Sequence, residues 1–328
     1  RINDLNEVDK MDELNYQILN ALMKDGRYSY TKLAQQLKTK VSIVSSRVNK
    51  MLEEDLLSIQ AVPNPYKIGY KFQAVIAMNV EYKLVDDVCS SLIDNFNVSS
   101  IATMFGRYNI LVFAEFPTID TLLKIVQDEL PKHEGVIKID TLLVSERKKS
   151  FEQLFGPEAV TGEVVNIDKL DENLIYELRK NGRANLAQLA AKYNTSTASV
   201  TRRVAALIKK NVIKITVVPN HTKIMGFTAV AYLAIEADPK KVNEICECLA
   251  TFPEVTSILT LITMYNILAI IVLPDYQDLY RFVSEKISTI DGVIHVDPLI
   301  RAELKKRTYV FIPEEQFLKK REGVSAEH

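Results

Sequence analysis

Asp12-Glu-Leu-Asn-Tyr-Gln-Ile-Leu-Asn-Ala-Leu-Met-Lys-Asp-Gly-Arg27 returns 156 residues later as Asp168-Lys-Leu-Asp-Glu-Asn-Leu-Ile-Tyr-Glu-Leu-Arg-Lys-Asn-Gly-Arg183. Across the windows 11–58 and 167–214, 12 positions are identical and no gap is needed. The match continues through Val62-Pro63-Asn64 with Val218-Pro219-Asn220 and Lys67-Ile68 with Lys223-Ile224. One inserted residue then moves the offset to 157, where Tyr108-Asn109 meets Tyr265-Asn266 and Gly135-Val136-Ile137 meets Gly292-Val293-Ile294. Two units of about 140 residues follow one another, each long enough for a pair of small domains.

Each unit begins with helical spacing. Leu14, Ile18, Leu19 and Leu22 predict a helix that stops at Asp25-Gly26. Ser29 and its counterpart Asn185 are good N-caps for a second helix. A short turn leads to a third helix, with Thr39 as the expected cap in the first unit and Ser196 in the second. Its expected buried face is Val44, Val48, Met51 and Leu52, matched by Val200, Val204, Leu207 and Ile208. Residues 56–62 and 212–218 read as a β wing, completing a winged helix-turn-helix.

Downstream the period changes. Phe72–Val80, Ser99–Phe105, Asn109–Phe116 and Val136–Val144 alternate as strands, with helices near 83–94 and 118–130, and the second unit repeats the order β-α-β-β-α-β. The fold class is α+β: two tandem copies of a winged helix-turn-helix followed by a ferredoxin-like βαββαβ domain. The expected domains are helix-turn-helix 1–63, βαββαβ 64–150, linker 151–165, helix-turn-helix 166–219, βαββαβ 220–312 and a tail at 313–328. The two sheets are expected to pack on each other within one chain.

The 328 residues carry a net charge of -1, so any surface for nucleic acid must be local. In 11–58, seven Lys/Arg against six Asp/Glu leave +1, and in 167–214, ten against four leave +6. Cys89, Cys246 and Cys248 make no disulfide framework, which predicts a reducing compartment. Without a leader-like start, and with apolar runs as short as 258–262 and 267–273, a cytoplasmic protein with no membrane partner is expected. No phosphate loop, paired-carboxylate motif or nucleophile elbow is present, so neither an enzyme nor a cofactor or metal is expected.

The chain resembles the Lrp/AsnC (feast/famine) family of transcriptional regulators. The match rests on the two runs quoted above, on Leu33-Ala34, Val44-x-x-Arg47-Val48, Val200-x-x-Arg203-Val204 and Lys67-Ile-Gly69, and on the loop Gly106-Arg107-Tyr108-Asn109 with its weaker copy Thr263-Met264-Tyr265-Asn266. The resemblance implies double-stranded DNA as partner and dimerisation through the sheet. It also implies a small effector of amino-acid type between the regulatory domains. Two departures stand out: the family usually carries one copy, and both loops have Asn where the family has Asp. A dimer of two-copy chains, with four heads, is the expected assembly.

The candidate DNA-contacting residues are Ser42, Ser45, Ser46, Arg47, Asn49 and Lys50 in the first unit. In the second they are Thr197, Ser199, Thr201, Arg202, Arg203, Lys209 and Lys210. Arg47 and Arg203 fit equally well as partners of a nearby carboxylate. The candidate effector residues are Thr103, Gly106, Tyr108, Asn109, Thr263, Tyr265 and Asn266, with sheet packing the other reading of the two tyrosines. Two rival functions are a sensing or scaffold protein without DNA binding and an enzyme resembling the sirohaem decarboxylases. The latter resemblance implies Trp, His and Arg near the loop, whereas this chain has no Trp and four dispersed His.

Overall fold

The computed structural model describes residues 11–149, 155 and 163–306, which fall into two compact units. One unit holds both helix-turn-helix regions, 11–68 and 163–226, and the other holds both βαββαβ regions, 69–149 and 227–306. Sequence order thus alternates between units that each contain a matched pair.

In the first unit, the heads are built from α1 (Glu13–Lys24), α2 (Tyr30–Gln36) and α3 (Val41–Glu53), repeated as α6 (Lys169–Lys180), α7 (Leu186–Lys192) and α8 (Thr197–Lys209). Side-chain caps set most starts: Asp12 accepts from Asn15 N at 2.8 Å, Ser29 from Lys32 N at 3.2 Å, and Ser196 from Ser199 N at 3.1 Å. Thr39 does not cap α3; Lys40 holds that position and makes no side-chain bond. Ile18, Leu19, Leu22, Leu33, Val44 and Val48 are fully buried, as are Leu174, Ile175, Leu178 and Val200. Leu52 is only half-buried and Ile208 is 39% exposed, because eight residues of helix rotate them off the face set by Val44 and Val200.

The expected wings are there as strands, but their partners differ from a local hairpin. β1 (Leu57–Pro63) pairs antiparallel with β6 (Ile213–Pro219) of the other head, from Leu57 opposite Pro219 to Pro63 opposite Ile213. Gly26 N donates to Ile215 O at 2.9 Å and Gly182 N to Ile59 O at 2.7 Å. A Cβ on Gly182 would lie 3.0 Å from Gln60 N and 2.9 Å from Ile215 Cγ2. The glycine that reads as a helix stop is therefore also the point of closest approach to the paired strands. The next residue completes the joint. Arg183 donates to Gly26 O at 2.8 Å and Tyr28 O at 2.7 Å and lies over the Tyr30 ring, and Arg27 donates to Ala184 O at 3.2 Å.

The second unit is a closed barrel. Its first half supplies β2 (Phe72–Val80), α4 (Val85–Ile93), β3 (Val98–Phe105), β4 (Ile110–Phe116), α5 (Ile119–Leu123) and β5 (Val136–Lys149). After α9 (His221–Met225) of the first unit, the second half supplies β7 (Ala229–Ala237), α10 (Val242–Thr251), β8 (Val255–Leu261), β9 (Ile267–Leu273), α11 (Tyr276–Arg281) and β10 (Val293–Lys306). The barrel order is β10-β3-β4-β2-β5-β8-β9-β7. Strand alternation explains its layers: Ala74, Ile76 and Met78 pack under the helices, while Val75 and Ala77 join Tyr232, Leu259 and Leu268 inside.

The two sheets do more than pack face to face; β5 and β10 stitch their edges together. β5 pairs with β2 as far as Val144 and then with β8, ending at Lys149 opposite Ile258. β10 pairs with β7 up to Ile300 and then with β3, ending at Lys306 opposite Ile101. Both strands outrun their expected ends at Val144 and Ile300, because the residues that follow find a second partner strand in β8 and β3. Most of 151–165, and the tail at 313–328, lie outside the described residues. Cys89 and Cys246 occupy equivalent places beneath the helices, and burial pushes both thiols up to about 11.

Candidate nucleic-acid interface and regulatory loops

In a helix-turn-helix, the third helix offers its N-terminal side chains to base edges. On α3 the exposed side chains are Val41, Ser42, Ile43, Ser46, Asn49, Lys50 and Glu53, with Ser45 half-buried. On α8 they include Thr197, Ala198, Thr201, Arg202, Ala205, Ile208 and Lys209, with Ser199 half-buried and the exposed Lys210 as the C-cap. Position by position, Ser46 corresponds to Arg202, Glu53 to Lys209 and Glu54 to Lys210.

Arg47 and Arg203 stand apart from this face. Arg47 is tied to the Asp12 carboxylate and donates to Asn15 Oδ1 at 2.9 Å. Arg203 Nη1 lies 2.8 Å from Asp168 and 2.9 Å from Asp171. Both guanidinium groups clamp the third helix to the start of the first, as the carboxylate reading of these two residues expects. Burial works to raise the Asp12 carboxyl, but the Arg47 hydrogen bond and the Asn15 N–H carry it below its ordinary value. The acidic run of the first head is likewise partly engaged. Glu54 lies 3.8 Å from Lys50, and Asp55 pairs with Lys223 at 3.1 Å and accepts from Asn220 at 3.0 Å.

The loop residues turn out to be internally satisfied. Asn109 accepts from Val80 N at 2.9 Å and donates to Val80 O at 2.5 Å, and Asn266 treats Ala237 the same way at 3.0 and 2.7 Å. Each amide closes a strand end with one donor and one acceptor, which an aspartate could not supply. Thr263 Oγ1 donates to Tyr265 O at 2.7 Å, Thr103 is buried in β3, and Gly106 (φ +133°) lies against Leu299. Both asparagines and Thr263 thus spend hydrogen-bonding capacity on the barrel's own backbone.

The two tyrosines are packed in the barrel core and each meets an aspartate that sequence reasoning missed. Tyr108 donates to Asp140 at 2.7 Å and Tyr265 to Asp297 at 3.2 Å. The pairs were findable, since Asp140 and Asp297 stand 157 residues apart, in the register of the repeat. Burial, followed by the Asp140 hydrogen bond, pushes the Tyr108 hydroxyl up to about 12. Arg107 donates to the Tyr265 hydroxyl at 3.1 Å and lies 5.8 Å from both ring centres, an exposed cation where the two halves meet. Its counterpart is Met264, so the site has one guanidinium for two halves.

Residues 11–52 match the AsnC-type helix-turn-helix domain, 167–214 a winged helix-turn-helix DNA-binding domain, and 230–310 the Lrp/AsnC ligand binding domain. An uncharacterized HTH-type transcriptional regulator of Pyrococcus horikoshii is 32% identical over 146 residues, 44% of this chain and 92% of the relative. The chain belongs to the Lrp/AsnC family of transcriptional regulators. The HTH-type transcriptional regulator LrpA of the same organism is 31% identical over 140 residues, 43% of this chain and 99% of its own length. One repeat of this Lrp/AsnC chain thus matches nearly a whole relative. The crystal structure of the sirohaem decarboxylase NirDL superposes on 96% of the chain and 100% of its own, with a TM-score of 0.61 and 17% identity, a likeness of fold alone. Among the described residues, no helix is long and apolar enough to cross a membrane and no cluster of His, Cys, Asp and Glu could hold a metal.

Proposed function

We propose that this chain regulates transcription as a covalent pseudo-dimer, laying α3 and α8 of one chain on double-stranded DNA. The observation that carries the reading is the contrast between the two exposed third-helix faces held in one unit. Arg202 and Lys209 on α8 and Lys210 at its C-cap are solvent-exposed, in a head of net charge +6 beside a nearly neutral first head. Phosphate neutralisation supplies much of the affinity of such proteins, so the second head anchors and the first contributes little charge. Lys209 and Lys210 act on phosphates, while Ser42, Ser46, Asn49, Thr197, Thr201 and Arg202 face the groove. Pairing of chains into a four-headed assembly would add a second grip of the same kind.

An effector of amino-acid type belongs to the same reading. Its carboxylate would meet Arg107, the exposed cation between the hairpins, rather than the loop asparagines. The reading places the protein in the compartment that holds DNA. It calls for neither cofactor nor catalysis.

Fluorescence anisotropy with the chain's own upstream DNA across a salt series tests the reading. The expected result is binding that weakens steeply with salt, by roughly 10³-fold or more between 50 and 200 mM if about six phosphates are neutralised. Charge reversal at Lys209 and Lys210 should weaken it further than a change at Lys50. Salt-insensitive binding would favour the sensing or scaffold reading, and an absorbing tetrapyrrole on the purified protein would favour the decarboxylase one.

A further inference from the structure

Duplication of a helix-turn-helix normally yields two equal readers, yet the exposed faces of these two third helices are chemically unlike. At the first turn, α3 presents the large apolar Val41 and Ile43 to solvent, 44% and 39% exposed, flanking Ser42, where α8 presents only the smaller Thr197 and Ala198 and the half-buried Ser199. These apolar side chains stand beside the buried Val44 on a helix whose core is already filled by Val44, Val48 and Met51. In the major groove the apolar feature available to such side chains is the thymine methyl group. One and a half turns along, α8 carries the exposed Arg202 where α3 has Ser46. An arginine that lacks an intramolecular carboxylate can take the paired acceptors of guanine, O6 and N7. The neighbouring Arg203 is committed to Asp168 and Asp171, which leaves Arg202 as the guanidinium on this face.

The heads cannot exchange these roles by moving apart. The β1–β6 ladder, the Gly26 and Gly182 contacts and the Arg183 hydrogen bonds join them within one unit.

We propose that the DNA element recognised by this chain has no dyad symmetry: a thymine-bearing half-site lies under α3 and a guanine-bearing half-site under α8, and the chain binds it in one orientation. The inference rests on the DNA-binding reading above, and adds which base class each head selects.

The test is selection of bound duplexes from a randomised library by the full-length chain, followed by anisotropy on the enriched sequence. The expected motif has two unlike halves. Arg202→Ser should reduce discrimination for guanine about tenfold in one half only, and Arg202→Lys, which keeps donors for O6 and N7 but not the planar fork, should retain part of it. Val41→Ser with Ile43→Ser, which removes both branched apolar groups, should relax thymine preference in the other half alone, and thermal melts of each variant check folding. A palindromic motif would overturn the inference and leave the regulator reading standing. So would a uniform loss of affinity on every sequence with Arg202→Ser, since that marks a phosphate contact. Salt-dependent binding without enrichment would also overturn it, whereas no DNA binding at all would remove the regulator reading itself.

Discussion

Single residues carry more of this architecture than their types suggest. Gly182 is buried where the two heads meet, and its missing side chain is what lets the backbone of Gln60 come close. A glycine-to-alanine change at a tolerant site usually stabilises by about 0.4–1 kcal/mol through the unfolded chain. Here the added methyl has backbone as its neighbour, so Gly182→Ala should destabilise by about 1–3 kcal/mol, read from chemical unfolding. Asn266→Asp should cost about as much, because the Ala237 carbonyl loses its donor. Arg203 makes a prediction in pH. The Asp168 carboxyl is held below its usual value by the Asp171 backbone N–H and then by Arg203. A carboxyl whose folded value is depressed contributes stability above its unfolded value near 3.8, and loses it as pH falls through the folded one. Arg203→Ala should therefore lower the melting temperature at neutral pH and flatten its fall below pH 4. An unchanged acid limb would mean that the clamp does not act through charge.

Whole elements were the most legible level of the sequence, and their ends the least. The three helices of each head declared themselves through Leu14, Ile18 and Val44 and their copies, since a 3.6-residue period survives substitution among apolar residues. The strands declared themselves through alternation as far as Val144 and Ile300. Beyond those points Glu146, Arg147 and Lys149, and Arg301, Glu303 and Lys306, carry charge in place of the apolar alternation, yet they pair with β8 and β3. Local pattern cannot announce a partner more than 100 residues away, and the same blindness hid the cross-head pairing of β1 with β6. Hydrogen exchange separates the two views. Amides of the paired stretches 144–149 and 300–306 should exchange at least as slowly as others in the barrel rim, whereas a linker would exchange at once. The candidate site divided along the same line: exposed groove residues could be read from helical phase, but the partners of Arg47, Arg203, Asn109 and Asn266 came only from the fold.

At the scale of the molecule, the repeat that was visible in the sequence becomes two joints, a shared strand ladder between the heads and a shared barrel between the regulatory halves. Closing the barrel leaves neither sheet with a free edge, which removes a route to edge-to-edge association. The fused ladder has a further effect on dose. When two separate subunits must meet before gripping two half-sites, occupancy at low abundance rises with the square of their number. A chain that already contains both heads skips that encounter, and occupancy follows its copy number in simple proportion. Titrations of an element with one pair of half-sites should then fit a Hill coefficient near one, and a coefficient near two would mark pairing of chains on the DNA. A promoter under its control would answer small changes in expression without a threshold, as a dimmer does rather than a switch.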